Sequence, residues 1–241
     1  MIKVKAPGKL YIAGEYAVVE TGCPAILVGL NKYVYVSIED SKDFGTIISK
    51  QYENSTVVWK RRGEHMVIDN RDNPFEYILS GIRITEQYAQ ELGKKMRCYD
   101  LKIDSELDSP SGKKYGLGSS AAVTVATVKA LCQYYGLNVT LDQLFKLAAI
   151  AHFEVQGNGS LGDIATSVFG GWLEYHSFDR QWLKTARHNY SLSELLAKNW
   201  PGLKIKSLPV FDRLNLLIGW TGSPASTSNL VLSLIHISEP T

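Results

Sequence analysis

The sequence predicts an α+β fold, and three features of its patterning favour this class. β-branched and aromatic residues recur with partial alternation through the first sixty positions, which is typical of strands. Several later segments carry apolar residues spaced three and four apart, which is typical of helices. Because the two kinds of segment do not alternate strictly, a mixed α+β arrangement is favoured over a doubly wound parallel sheet.

The predicted strands begin with a long one. Residues Ile26 to Ile38 are rich in β-branched and aromatic side chains, which predicts a half-buried strand. The apolar run at residues 214–220 suits a buried strand, whereas residues 177–207 are polar, less regular and expected to carry a link to a second lobe. Shorter strands are predicted at residues 46–49, 55–60, 99–103 and 172–175.

Helical spacing predicts four helices. The first spans residues 74–92, with Pro74 in its first turn and Gly93 as its C-cap. The others are a helix that ends at Gly136, one over residues 140–153 capped by Thr140 or Asp142, and a short one over residues 164–171.

Composition and charge exclude several classes of function. The chain has 241 residues, enough for one large domain or two small ones, and 26 Lys+Arg against 24 Asp+Glu give a formal net charge of +2. This balance excludes a charge-driven nucleic-acid binder.

Cys23, Cys98 and Cys132 form no C-x-x-C pair, so a reducing cytoplasm is expected rather than a disulfide scaffold or a zinc ribbon. We expect neither a signal peptide nor a membrane span, since no stretch approaches about 18 apolar residues.

The most distinctive segment, which we call the glycine loop, is predicted to bind phosphate. Its glycines permit positive φ and close approach of a ligand, and the helix that follows offers free N–H groups and a favourable dipole. Its two serines add hydroxyls suited to a phosphate oxygen or to Mg²⁺. The glycine loop comprises Gly116, Leu117, Gly118, Ser119, Ser120, Ala121 and Ala122.

The glycine loop has other interpretations. A Walker A loop is excluded because no G-x-x-x-x-G-K-[ST] run occurs in the chain. The loop matches a relaxed dinucleotide fingerprint, but it follows a polar stretch instead of the buried strand which that fingerprint requires. A glycine turn that packs a helix tightly through Ala121 and Ala122 remains as the structural alternative.

Two further segments carry candidate charges. Pro7–Gly8 is predicted to form a turn that places Lys9 at the mouth of an apolar strand. Glu15 lies in an otherwise apolar run, so we expect its carboxylate to be hydrogen-bonded at a site or an inner turn. Asp163 follows a glycine-rich turn at residues 157–162, where it is either a helix N-cap or a carboxylate that faces substrate. Glu154 and His152 lie on the preceding helix, and His152 is interpreted as a packed or capping residue.

Together these three segments resemble motifs of the GHMP kinases, a superfamily of small-molecule kinases. APGKLYIAGEYAVV (residues 6–19) resembles the first motif, GLGSSAAVTVA (116–126) the nucleotide-phosphate motif, and GNGSLGDIATSVFGG (157–171) the segment with the catalytic aspartate. Within the superfamily, residues 8–20, KKYGLGSSAAVTV (113–125) and YHSFDRQWL (175–183) are most similar to the bacterial phosphomevalonate kinases. Tyr16 stands where mevalonate kinases carry histidine, and the resemblance covers about residues 1–232.

The resemblance implies a two-domain α+β fold with a left-handed βαβ crossover in the N-terminal domain. It implies that ATP phosphorylates 5-phosphomevalonate to 5-diphosphomevalonate, in the mevalonate pathway to isoprenoids. By position, Lys9 and Asp163 are the implied catalytic pair, and the glycine loop holds the triphosphate. Mg²⁺ is expected at Ser120 and Glu154, and the acceptor at Lys9, Glu15, Tyr16, Ser226, Thr227 and Ser228, although plain N-capping is the favoured interpretation of the last three.

The chemistry of the implied acceptor separates the roles of the catalytic pair. A phosphate monoester has a second pKa of about 6, so at neutral pH it is already a nucleophile and needs no general base. Asp163 is then expected to orient Lys9 or the substrate, whereas Lys9 neutralises charge as anionic groups converge.

The end of the sequence departs from the family pattern. After Thr221 nothing resembles the family's third, GxGGGD-like motif, and SLIHISEPT resembles a translated sequencing adapter. We therefore expect an N-terminal domain at residues 1–180, a truncated start of a C-terminal domain at 181–232, and a non-native tail at 233–241.

Alternative functions stay open at this stage. They are mevalonate kinase or another GHMP kinase, and a catalytically inactive fragment or ligand-binding relative. The expected partners are the acceptor and ATP, with no nucleic acid and no membrane, and the resemblance leaves room for a homodimer.

Overall fold

A computed structural model describes residues 1–49, 55–68, 75–108, 115–210 and 216–219. Its strands are β1 (Ile2–Ala13), β2 (Pro24–Asp40), β3 (Gly45–Ser49), β4 (Ser55–Arg62), β5 (His65–Ile68), β6 (Tyr99–Ser105), β7 (Trp172–His176) and β8 (Lys204–Leu208). Its helices are α1 (Glu76–Glu91), α2 (Ser119–Tyr134), α3 (Leu141–Gln156), α4 (Gly162–Phe169), α5 (Arg180–Asn189) and α6 (Leu192–Ala197), with a 3₁₀ turn at Ala17–Val19. The α+β class is confirmed.

The sheet is organised around the long strand β2. β1 runs antiparallel along one edge of β2 from Ile2 to Ala13, so β6 and β7 share its other edge. The order along the sheet is β5-β4-β3-β6-β2-β7-β8, and β3 pairs parallel with β6 whereas the other described pairings are antiparallel. The predicted strands at residues 26–38, 46–49, 55–60, 99–103 and 172–175 lie within β2, β3, β4, β6 and β7.

The helices cover the sheet in two tiers. α2 and α4 contact β1 and β2 directly, while α1 and α3 pack against α2. α2 carries apolar residues around most of its circumference and is buried along most of its length, because it lies between the sheet and the other helices. Gly81 brings α1 close to α2, since a side chain there would contact Thr127 at 3.4 Å.

The predicted capping residues lie at or next to the helix ends, with Leu92 and not Gly93 as the C-cap of α1. Thr140, not Asp142, is the N-cap of α3, and a capping box joins it to Gln143. Gly93 and Gly136, with φ of +69° and +62°, follow the ends of α1 and α2. Pro74 lies outside the described residues.

A buried ion pair joins the β4–β5 hairpin to α1. The Arg61 guanidinium on β4 binds both carboxylate oxygens of Glu86 on α1, and their side chains are 11% and 6% exposed. The hydroxyls of Tyr99 and Tyr135 each donate to Glu86 Oε1 at 2.9 Å. The buried carboxylate therefore has four donors, which is the condition under which such a charge is tolerated in a core.

The predicted turn at Pro7–Gly8 is wrong. β1 continues through both residues, and its register against β2 shifts between Pro7 and Lys9, where residues 30–32 of β2 bulge opposite Gly8. Proline is tolerated at a bulge because no ladder hydrogen bond is needed there. At Gly8 a side chain would lie 2.9 Å from the carbonyl oxygen of Leu117, so this glycine allows the glycine loop to approach the strand.

Residues 177–207 are more regular than the sequence suggests. They form α5, α6 and most of β8, and β8 pairs with β7 in the same sheet. The prediction of an irregular link is wrong because the polar residues lie on the outer sides of short helices whose apolar sides are buried. The domain division at residue 180 stays a prediction.

The predicted buried strand at residues 214–220 is described only at 216–219, and it is wrong for these residues. They form no strand and are exposed, with Leu217 at 92%. Leu216 and Ile218 are 43% and 54% exposed, so none of the three apolar side chains is buried. Within the described ranges, none of the helices combines the length and the apolar character that crossing a bilayer requires.

Candidate active site

The glycine loop leads into the positive end of α2. Gly116 and Gly118 both have φ of +78°, which favours glycine at both positions. Gly118 is the N-cap of α2 and provides no side-chain cap, and the Ala122 N–H donates to its carbonyl at 3.0 Å. The N–H groups of Ser119, Ser120 and Ala121 therefore have no helical carbonyl to bind. Three such donors at the start of a helix favour an anion.

Lys9 lies directly against the glycine loop. A side chain at Gly118 would lie 3.0 Å from Lys9 Cγ and 3.2 Å from Cε, so the lysine stem occupies the space that this glycine leaves. The Lys9 N–H donates to the carbonyl of Leu117 at 2.8 Å, which fixes the strand to the loop. The ammonium lies 5.0 Å from the centre of the Tyr11 ring. The structure thus brings Lys9 and the glycine loop together.

Tyr11 connects the same strand to the start of α4. Its hydroxyl is 2.9 Å from Ser160 Oγ, and a side chain at Gly162 would meet that hydroxyl at 2.6 Å. Burial, followed by the nearby charge of Asp163, raises the pKa of Tyr11 above its usual range. The phenol is therefore a neutral hydrogen-bonding group beside the Asp163 carboxylate.

Asp163 lies in the first turn of α4, and its interpretation as the N-cap is wrong. Leu161 is the N-cap, with φ of +62°, and no side chain caps the helix. Asp163 Oδ1 accepts from the N–H of Ile164 at 2.9 Å, so its second oxygen stays free of described hydrogen bonds. No ion pair within 4 Å joins Asp163 to Lys9 among the described residues. Lys9 and Asp163 therefore both lie near Tyr11, but they form no ion pair with each other.

The turn before Asp163 is held from outside by Arg180, a residue that the sequence analysis did not single out. Its guanidinium donates to the carbonyls of Gly159 at 3.1 Å and Val19 at 2.7 Å. The buried Tyr175 hydroxyl donates to the carbonyl of Ser160 at 2.5 Å. These bonds fix the backbone conformation from which α4 begins.

His152 on α3 reaches the glycine loop. The imidazole is buried, and its Nε2 lies 3.3 Å from Ser120 Oγ. Burial lowers the pKa of His152, whereas the charge of Asp163 opposes that shift. Ser120, His152 and Asp163 therefore belong to one neighbourhood.

Glu15, Tyr16 and Glu154 make no described hydrogen bond to this group. Glu15 and Tyr16 follow β1 and are exposed, although the charge of Glu15 contributes to the raised pKa of Tyr11. No described residue hydrogen-bonds the Glu15 carboxylate, so the expected hydrogen bond at an inner turn is wrong for the described residues, and the alternative at a site stays a prediction. Glu154 pairs with Arg83 on α1 and with Arg187 on α5, because it lies two residues from His152 and hence on another side of α3. Ser226, Thr227 and Ser228 lie outside the described residues.

The residues present fit a nucleoside triphosphate with a magnesium ion. A side chain at Gly116 would meet no described residue within 4 Å, so the space beside the loop is open in the described part of the chain. Mg²⁺ keeps several waters and takes few protein ligands, so Ser120 Oγ together with phosphate oxygens is a sufficient donor set. Among the described residues there is no group of three or more His, Cys, Asp and Glu suited to hold a metal by itself.

Besides Arg180, sequence reasoning missed two features at the site. Tyr11 is an aromatic in a strand, so its pattern indicates only a strand residue, and its hydroxyl contacts come from the fold. Leu161 adopts the left-handed conformation that non-glycine residues rarely occupy, which no local sequence signal indicates. Its side chain is 2% exposed, and this burial offsets the backbone cost.

Known proteins are similar to this chain in sequence and in fold. The profile of the GHMP kinases N terminal domain matches residues 77–171, from α1 to the end of α4. The chain aligns with the structure of Streptococcus pneumoniae phosphomevalonate kinase in complex with phosphomevalonate and AMPPNP, at 31% identity and a TM-score of 0.84, over 99% of this chain and 68% of that one. The chain belongs to the GHMP kinases.

Two further relatives of this GHMP kinase are similar over most of its length. A phosphomevalonate kinase from Streptomyces sp. (strain CL190) is 38% identical over 239 residues, which are 95% of this chain and 64% of the relative. A Lin0012 protein from Listeria innocua has a crystal structure that is 40% identical, with a TM-score of 0.88, over 98% of this chain and 64% of that one. The chain thus spans 64% of the length of both relatives.

Proposed function

We propose that this GHMP kinase transfers the γ-phosphoryl group of ATP to 5-phosphomevalonate, giving ADP and 5-diphosphomevalonate in the mevalonate pathway. The observation that carries the proposal is the similarity to S. pneumoniae phosphomevalonate kinase, whose structure is a complex with phosphomevalonate and AMPPNP, over 99% of this chain. A relative that is 38% identical carries the same activity in its name. The contact of Lys9 with the glycine loop supports a phosphoryl-transfer site.

In this reaction an oxygen of the acceptor's phosphate attacks the γ-phosphorus of ATP. The new P–O bond replaces the bond to the bridging oxygen between the β and γ phosphorus atoms, and ADP leaves with that oxygen. The Lys9 ammonium, on its stem beside Gly118, neutralises charge where the two anions meet. Asp163 orients the acceptor or Lys9, since an ionised phosphate has no proton to give up.

The nucleotide's phosphates are bound by the free N–H groups at the start of α2. Ser119 and Ser120 lie at this end and add hydroxyls. Mg²⁺ supplies Lewis-acid stabilisation of the phosphates when bound, and Ser120 is the protein group that we propose to hold it. Glu154 is less suited to that role, because both of its oxygens face guanidinium groups.

The proposal also covers the residues that contact the acceptor, the compartment and the partners. Glu15 and Tyr16 are exposed beyond the end of β1, where they border the entrance for the acceptor. The assignment of Ser226, Thr227 and Ser228 to the acceptor rests on the family resemblance. The reaction uses small polar molecules, so we place the enzyme in the cytoplasm without nucleic acid or membrane partners, and we leave the homodimer as a proposal.

The test is an ADP-release assay on this chain with 5-phosphomevalonate, mevalonate or galactose as acceptor. We expect ADP release with 5-phosphomevalonate and a diphosphate signal in the ³¹P NMR spectrum of the product. A Lys9→Ala protein purified in parallel controls for contaminating kinases. ADP release with mevalonate alone would replace the proposal by mevalonate kinase, an activity named in relatives at 28% identity. Nucleotide binding without transfer to any acceptor would favour the inactive or ligand-binding relative.

A further inference from the structure

His152 has an unusual environment for a histidine in a helical core. Its side chain is 0% exposed, and its ring lies 4.8 Å from the ring of Tyr77, centre to centre. Nε2 is 3.3 Å from Ser120 Oγ, whereas no described residue provides a partner for the buried Nδ1. The proposed phosphoryl transfer gives this imidazole no role.

The unpartnered nitrogen indicates which tautomer is present. A neutral imidazole carries one N–H donor and one acceptor nitrogen. Leaving an N–H donor buried without an acceptor is the rarer and costlier arrangement, so the proton belongs on the nitrogen that has a partner. His152 therefore carries its proton on Nε2 and donates it to Ser120 Oγ.

This assignment orients the Ser120 hydroxyl. One lone pair of Oγ accepts from His152, so the hydroxyl proton turns away from the imidazole. Among the described residues, His152 is the partner of the Ser120 hydroxyl, and no carbonyl accepts its proton. The proton therefore faces the partly exposed loop side of the residue, and the second lone pair remains for a cation.

We propose that His152 is a positioning residue that holds the Ser120 hydroxyl as a hydrogen-bond donor toward a phosphate of the bound nucleotide. The proposal rests on the proposed function, because it presumes a nucleoside triphosphate at the glycine loop. Its distinct content is the tautomer of His152 and its action through Ser120 alone. A histidine retained only for packing against Tyr77 does not require this tautomer and does not act through Ser120.

The first experiment determines the tautomer without nucleotide. Long-range ¹H–¹⁵N correlation on protein with ¹⁵N-labelled histidine distinguishes protonated from unprotonated ring nitrogens, and the His152 signals are assigned by their loss in H152Q. We expect a neutral ring with its proton on Nε2. A proton on Nδ1 would overturn the proposal, whether or not the chain binds nucleotide.

The second experiment tests action through Ser120 by calorimetric binding of AMPPNP with Mg²⁺. We expect H152L to weaken binding about tenfold, the effect of one positioned hydrogen bond. H152Q should recover most of this loss because its amide keeps an N–H donor at similar reach. In an S120A background, H152L should change binding less than about twofold, since the intermediary is absent.

Each outcome of the second experiment decides the question. Equal losses for H152L in both backgrounds, or no recovery in H152Q, would reduce His152 to a packing residue. Thermal unfolding of every variant identifies losses that come from misfolding, and in that case the tautomer measurement on the unaltered chain decides alone. If the unaltered chain binds no AMPPNP, the proposed function fails, and with it the phosphate-donor role, even when the tautomer is the one expected.

Discussion

At the scale of single residues, the Lys9 side chain occupies space that is free because residue 118 is glycine. The lysine stem passes about where a side chain at position 118 would lie, at 3.0 Å from Lys9 Cγ. The same glycine has φ of +78°, so it combines a steric and a conformational requirement. A residue 109 positions away in the sequence thereby determines where the ammonium lies.

Replacing Gly118 by alanine should separate these two requirements. Gly118→Ala and Gly136→Ala both place a side chain at positive φ, so each should lower the free energy of unfolding by about 1 kcal/mol. A side chain at Gly136 meets nothing within 4 Å, so only Gly118→Ala should also displace Lys9 and reduce kcat, by about tenfold. Urea unfolding and the ADP-release assay measure the two effects. Equal kcat in the two variants would contradict the steric role.

Lys9 and Asp163 should contribute unequally to the rate. Lys9→Ala removes the charge that neutralises the converging phosphates, and we expect kcat to fall by about 100-fold or more. Asp163→Asn keeps the size and the acceptor oxygen, and a phosphate nucleophile needs no base, so about tenfold or less is expected. Steady-state kinetics with 5-phosphomevalonate measures both. Similar losses would count against this division of roles.

At the scale of elements, helices and strands are fixed by partners that are remote in sequence. α4 begins without a side-chain cap, and its start is held by Tyr11 from β1, Tyr175 from β7 and Arg180 from α5. The β4–β5 hairpin is held to α1 by the pair of Arg61 and Glu86. In both cases the polar contacts join elements whose own sequences do not indicate the pairing.

Removing Arg61 should destabilise the protein far more than removing a surface arginine. Arg61→Met leaves the Glu86 carboxylate buried without its counter-ion, and we expect a loss of about 3–5 kcal/mol in the free energy of unfolding. Arg83 pairs with Glu154 but its side chain is 57% exposed, so Arg83→Met should cost below about 1 kcal/mol. Urea unfolding compares the two. Losses of the same size would show that burial does not govern the cost.

The attachment of β8 to β7 should weaken in acid. Glu174 on β7 accepts from Lys204 on β8 at 2.7 Å and lies 3.1 Å from His176, and these contacts lower the pKa of Glu174 to about 2 from 4.5. A folded-state pKa below the unfolded one stabilises the fold above about pH 4.5, and this contribution is lost as pH falls toward about 2. Urea unfolding at several pH values should therefore show Glu174→Gln and the unaltered chain converging as pH falls.

The matched control for Glu174 is Glu39→Gln. Glu39 lies on β2 and is exposed, and no described residue hydrogen-bonds it. Its substitution should leave the pH dependence of unfolding unchanged. A constant difference in stability between Glu174→Gln and the unaltered chain from neutral to acid pH would contradict the assignment.

At the scale of the whole molecule, the described residues from β1 to β8 share one sheet and one hydrophobic core. Trp200, between α6 and β8, is 4% exposed and packs on Phe178, 4.7 Å between ring centres, and on Phe145 of α3. The buried Lys146 of α3 donates to the carbonyls of Leu196 and Lys198 at the end of α6. Residues 180–208 are therefore expected to unfold together with the rest.

Truncating Trp200 should destabilise the whole described unit. Trp200→Ala removes a large buried ring, and we expect about 3–5 kcal/mol less stability, with coincident transitions by circular dichroism and tryptophan fluorescence. Leu141→Ala, at a side chain that is 53% exposed, should change stability by about 0.5 kcal/mol or less. A separate early transition confined to fluorescence would instead favour a domain division near residue 180.

Most of the elements could be predicted because their signals are local. Periodicity places β2, α1 and α3, and glycine ends α1 and α2. α5 and α6 were missed because their short apolar sides are recognisable only when the core they cover is known. The turn at Pro7–Gly8 was wrong because Pro-Gly favours a turn locally, whereas pairing with β2, which bulges opposite Gly8, keeps β1 continuous.

The sequence by itself determined the fold class, the glycine loop and the family, because these depend on local pattern and on motifs in order. The tertiary structure decided which of the candidate residues contact each other. It places Lys9 on Gly118 and His152 on Ser120, while it turns Glu154 to two arginines and leaves Glu15 exposed. The physical reason is that side-chain direction depends on helix rotation and strand register, which are set by packing between segments far apart in the chain.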